Sequence, residues 1–89
     1  MEKKKLEEAI EKLNSIADII YKGNMIQGMA DMVDIIPTIA EVAGELNEEQ
    51  QELFINEALK PALEAMEDKD GTMLADIISY EIVPVLEQL

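Results

Sequence analysis

The chain has 89 residues, enough for one domain and too few for two. It carries 20 acidic and 7 basic residues, a formal net charge of -13; every basic residue is a lysine, and cysteine, histidine and tryptophan are absent. Those absences exclude disulfides, thiolate nucleophiles, imidazole bases and the ordinary ligand sets of zinc and other transition metals. The charge sets the chain against nucleic acid, whose binding rests on cations placed against phosphates.

No apolar run approaches the roughly 20 residues that span a bilayer, and the lysines at 3 to 5 are not followed by an uninterrupted apolar core of the signal-peptide kind. No membrane partner is expected. A small domain without cysteine suits a reducing compartment, so the expected location is cytoplasmic.

Apolar residues recur at helical spacing along nearly the whole chain, and strand-like alternation is missing. A first helix is expected from Glu2 to Lys22, with Leu6, Ile10, Leu13, Ala17 and Ile20 on its inner face, stopped by Gly23. A second starts at Asn24, a good N-cap, and reaches Gly44 or Leu46. Met25, Met29, Met32, Ile36, Ile39, Ala43 and Leu46 advance in steps of four and three, which predicts one bundle seam. Ile26, Val33 and Ala40 widen that seam on one flank, Ile35 and Val42 on the other, and Gln27, Asp34 and Glu41 take the outermost position.

A third helix is announced by Asn47 with Gln50 three residues later, a variant of the capping box, and by Glu48 and Glu49 in its first turn. It is expected to end by Asp68. Residues 67–71 read as a turn, with Asp70 or Thr72 capping a last helix whose inner seam is Ala75, Ile78, Ile82, Val85 and Leu89. Pro37, Pro61 and Pro84 each fall inside an expected helix, where proline costs around 3 kcal/mol. The uninterrupted step of the second helix across Pro37 favours kinks over breaks. The expected fold is therefore all-α: an antiparallel up-down-up-down four-helix bundle, occupying residues 1–89 as one domain, with proline-kinked helices. An array of shorter helices bent at the prolines is the other possibility.

The carboxylates form no recognisable metal set. A di-metal bundle site needs a Glu-x-x-His pair from each of two helices, and there is no histidine. Aligning Gly71 with the sixth position of a calcium loop puts Met66 first and Ile77 twelfth, where carboxylates are required. Gly23 and Gly28 have phosphate-loop spacing, but Met29 and Ala30 stand in place of its lysine and hydroxyl residue. Ser15 and Ser79 lack a base partner, and Tyr80 lacks a second acid–base group. No catalytic, cofactor-binding or metal residue is expected, and no cofactor.

What is left is an interaction surface. Flexible thioethers suit faces that accept varied partner helices, and the second helix is apolar on a stripe wider than one packing seam needs. The candidate surface is Met25, Met29, Met32, Ile35 and Val42.

The string Asp70-Gly71-Thr72-Met73-Leu74-Ala75-Asp76, with Tyr80-Glu81 and Pro84, resembles the ending of small, uncharacterised, acidic helical proteins of Firmicutes type. The Lys22-Gly23-Asn24 turn and the second helix share the resemblance, which implies a helical fold and brings no catalytic residues with it. The expected function is a non-enzymatic helical protein-interaction module, adaptor- or chaperone-like, taking a protein partner such as an amphipathic helix. A self-associating structural bundle, a homo-oligomer with no separate ligand, is the alternative, and a carboxylate-based metal enzyme the remotest reading.

Overall fold

The computed structural model describes residues 3–89. Among them there are helices and turns and no strand. The first helix, α1, is Lys3–Tyr21, and α2 is Met25–Ala43. The third helix is built from α3 (Glu48–Phe54), a π-helical turn π1 (Ile55–Leu59) and α4 (Lys60–Glu67). The fourth repeats that plan as α5 (Gly71–Ile77), π2 (Ile78–Ile82) and α6 (Val83–Glu87). The expected start of the first helix at Glu2 lies outside the described residues.

Two of the three junctions share one construction. At the end of α1, Gly23 takes φ +98°, the Gly23 N–H donates to Ile20 O and the Asn24 N–H donates to Ile19 O. That pair of bonds closes a Schellman motif, and glycine fits because a Cβ at that φ would be strained. Asn24 then caps α2, its Oδ1 accepting the N–H of Gln27 at 3.2 Å. At the end of α4 the same bonds run from Lys69 to Met66 O and from Asp70 to Ala65 O, with Lys69 at φ 55°. Asp70 then caps α5 by accepting the Met73 N–H at 3.0 Å. The middle junction differs. Asn47 caps α3 through the Gln50 N–H at 2.8 Å, and the Gln51 amide donates back to the carbonyl of Leu46 at 2.7 Å.

The prolines do not break the helices. Pro61 and Pro84 each follow directly on a residue, Lys60 or Val83, whose N–H reaches back five positions to Ile55 O or Ile78 O. One extra residue in the turn opens space ahead of the ring, where an α-turn would drive it against the preceding carbonyl. Both prolines stand fourteen residues beyond their N-caps, Asn47 and Asp70, whereas Pro37 stands thirteen beyond Asn24, in a helix with no π turn. The insertion also turns everything after it. In the fourth helix Val83 and Leu86 are buried, while Val85 is half-buried and Leu89 is exposed, so the expected seam through Val85 and Leu89 is corrected by one position.

All four helices contribute to one apolar cluster, and no polar or charged side chain is buried among the described residues. Leu13, Ile16, Met32, Ile39, Leu74, Ile78, Ile82 and Leu86 are its largest fully enclosed members. The third helix turns Phe54, Ala58, Ala62 and Ala65 inward, and of these only Phe54 is bulky. Among close backbone approaches between helices, α1 is the hub: it lies against α2, α5, π2 and α6, while α4 lies against α5 and π1 against π2.

Two glycines set how closely the helices meet. A Cβ on Gly28 would sit 2.3 Å from Ile20 Cγ1, and one on Gly71 would sit 3.2 Å from Ile20 Cγ2 and 3.0 Å from Met25 Cγ. Gly28→Ala therefore overpacks the α1–α2 contact at about 1–3 kcal/mol, against a helix-propensity gain of at most about 1 kcal/mol. The variant should melt several degrees lower in a circular-dichroism scan; an unchanged or higher midpoint would contradict the close approach. Lys69→Gly should move the other way, by about 1 kcal/mol, because the left-handed position then carries no Cβ.

Candidate interaction surface

Met32, Ile35 and Val42 are buried, at 1%, 4% and 0% exposure, so they are core and offer nothing to a partner. Met25 and Met29 are half-buried. Met25 covers Gly71 at the α1–α5 junction, and Met29 packs against the rim of the core. The core-facing side of α2 is Gly28, Met32, Ile35, Ile39, Val42 and Ala43, so the inner seam lies on the Ile35 and Val42 flank and not along Met25, Met29 and Ile36.

That rotation leaves the opposite flank in the open. Ile26 is 82% exposed and Val33 57%, and Ala30, Pro37 and Ala40 are exposed with them. At about 100° per residue these five positions fall within an arc of about 80° centred near Val33. Half-buried Met29 and Ile36 join the arc to the core on one side. On the other side lies a border of Gln27, Asp34 and Glu41. The polar side of α2 is therefore the sector that meets α1, where Lys5 pairs with Glu41 and where Lys12 and Asp34 line one cleft.

The third helix has exposed apolar residues of its own. Ile55 and Leu63 are exposed at 43% and 48%, and Leu59 and Met66 are half-buried against the core rim. Its Leu53, Phe54 and Ala58 line a different groove of about 210 Å³, shared with Glu81 and Val85 of the fourth helix. The side of the third helix bearing Ile55, Leu59 and Leu63 is turned away from that groove by the helical pitch. The backbones of α2 and the third helix do not make the close approaches that α1 makes with α2.

α2 has three carboxylates, Asp31, Asp34 and Glu41, and no lysine. Asp31 accepts from the Gln27 amide at 2.9 Å. Pro37 has no N–H, so the carbonyl of Val33 lacks its ordinary helical donor in the middle of the exposed arc.

A second feature lies where α1 meets α5. Tyr21 donates its phenolic hydrogen to Asp76 Oδ1, and that bond, which favours the neutral phenol, raises the Tyr21 pKa above its ordinary value of 10.0. Tyr80, 72% exposed, stands near it beside Asp76 and Met73. No group of three or more His, Cys, Asp or Glu side chains that could hold a metal ion is present among the described residues, and no helix there is long and apolar enough to cross a membrane.

Fold and surface together define an all-α protein of four helices with an apolar core and an unpartnered apolar helix face. The chain belongs to the family described as Domain of unknown function (DUF8042), whose sequence model matches residues 2–89. No curated protein and no solved structure matches it. Sequence reasoning missed Ile26, Val33 and Pro37 as the centre of the exposed face, although the absence of any lysine in α2 and the seven-residue spacing of Ile26, Val33 and Ala40 were signals for it.

Because the neutral phenol is the bonded form, the Tyr21–Asp76 contribution is present in full below about pH 10 and is lost as pH rises through the raised pKa. In a Tyr80→Phe background, ultraviolet titration of Tyr21 should give a midpoint above 10.0 that falls back towards it in Asp76→Ala. A midpoint indifferent to Asp76 would remove the bond from the fold.

Proposed function

We propose that this protein is a non-enzymatic interaction module of the cytoplasm, and that the exposed face of α2 takes an amphipathic helix of a protein partner. The observation that carries the reading is the exposure of Ile26 and Val33, 82% and 57%, on a helix whose opposite side packs Ile35 and Val42 into the core. A surface helix of a self-sufficient bundle is polar on its outer side, and contiguous exposed apolar residues mark contact sites. The absence of cysteine supports the location.

In this reading the bundle is antiparallel, up-down-up-down, and bends at its prolines. Junctions of three or four residues support the antiparallel order, and the π turns ahead of Pro61 and Pro84 support the bends.

The test uses a synthetic amphipathic peptide of about 18 residues, with a leucine stripe and glutamine flanks, titrated into isotopically labelled protein. Amide shifts should concentrate between Ile26 and Ala40. Ile26→Ser with Val33→Ser should abolish them at unchanged helicity, since exposed substitutions move stability by only about 0.5 kcal/mol. A doubled mass in light scattering, lost in the same variant without any peptide, would replace this reading with the self-associating bundle.

A further inference from the structure

From the charge and backbone chemistry of the α2 face, we infer that the helix it takes is basic: an apolar stripe edged by lysine or arginine, with one of these donors reaching the carbonyl of Val33. The inference rests on the docking reading above and specifies its partner.

Three observations converge on it. First, the face is bordered by Asp34 and Glu41 on a helix that has no lysine, in a chain of net charge -13. The nearby cations do not reverse this. Lys5 is held by Glu41, and Lys12 shares the α1–α2 cleft with Glu8 and Asp34. A partner with cations at its edges gains attraction on approach and on contact, whereas one with acidic edges is repelled.

Second, Pro37 leaves the Val33 carbonyl without its helical donor at the centre of the apolar arc. Covering that arc with a purely apolar helix would bury an acceptor with no partner, at a desolvation cost that a donor on the incoming helix removes. Lysine and arginine supply donors, and aspartate and glutamate do not.

Third, a second copy of this chain fits poorly. Its α2 has the same acidic border and the same open carbonyl, so face-to-face pairing sets carboxylate beside carboxylate and acceptor beside acceptor. The strip is also small. One helix wide and about 21 Å long from Ile26 to Ala40, it falls short of the roughly 800 Å² per side of a standard interface. A lone amphipathic helix needs only such a strip, one helix wide, and its own cations meet the acidic border.

The probes are three peptides with the same leucine stripe and lysine, glutamine or glutamate flanks, and a scrambled lysine peptide of the same composition, each measured by titration calorimetry at low and raised salt. The lysine peptide should bind at least about tenfold more tightly than the glutamine peptide at low salt, and the difference should shrink as salt rises. Ile26→Ser with Val33→Ser should weaken it by about tenfold or more at unchanged charge. Asp34→Asn with Glu41→Gln should weaken it more than Glu81→Gln with Glu87→Gln, which removes as much charge from another helix. Pro37→Ala returns a donor to Val33, so it should raise the melting midpoint and yet weaken the lysine peptide; a merely structural role for Pro37 would not separate the two. Equal binding of lysine and glutamine peptides, still lost in the Ile26 and Val33 variant, overturns the basic partner and leaves the docking face standing. Equal binding of the scrambled lysine peptide, insensitive to that variant, overturns both, and so does a concentration-dependent dimer that blocks every peptide.

Discussion

Ile20 stands where three helices come together, and the rest of the packing depends on what surrounds it. Gly28 of α2 approaches its side chain so closely that a methyl group there has no room, and one on Gly71 of α5 would crowd both Ile20 and Met25. A β-branched residue is stiff about its first side-chain bond, so Ile20 cannot swing aside and the neighbouring backbones must come to it. The consequence is long-range. With α2 and α5 both drawn onto the last turn of α1, α1 becomes the hub, and the third helix approaches the bundle mainly along the fourth. Small residues finish that arrangement: Ala58, Ala62 and Ala65 let the third helix settle inward without bulky side chains.

Much of the helical plan is legible in the residues. Asn24, Asn47 and Asp70 announce their helices because a short polar side chain that can reach the third residue's N–H has few other reasons to precede an apolar run. Gly23 announces its turn by the same local logic. Lys69 does not, since a lysine says nothing about a left-handed φ. The π turns are equally silent. A one-residue insertion obeys no composition rule, and the repeated fourteen-residue interval from cap to proline takes on meaning only when the turn that fills it is seen. That silence is why the fourth helix reads as burying Val85 and Leu89 when Val83 and Leu86 are the enclosed pair.

The candidate surface was legible as a helix and illegible as a side. A stripe apolar over more than half the circumference of α2 has no internal marker of which edge faces inward, and the methionines are a poor guide because a thioether fills core and rim equally well. Two features break the tie in hindsight. Gly28 must face the close contact with α1, and the polar positions Asp34 and Glu41 lie beside α1's lysines. Together they fix the rotation of α2, and the flank left over is Ile26, Val33 and Ala40. The proline within that flank sits on the outside of the bundle, where its missing hydrogen bond concerns whatever covers the helix and not the core.

The two Schellman corners carry a further consequence. Asn24 and Asp70 each belong to two helices at once, the N–H closing the helix behind and the side chain opening the helix ahead. Fraying from the ends is the ordinary way a small helical protein loosens, and here an end that frays also uncaps its neighbour. Partial opening of α1 at its C-terminal end weakens the first turn of α2, and opening of α4 weakens α5. The corners thus work as mechanical couplings that favour melting of a helix pair over melting of one helix, and they place the cooperative boundary of the molecule at the middle junction, where Asn47 serves one helix alone.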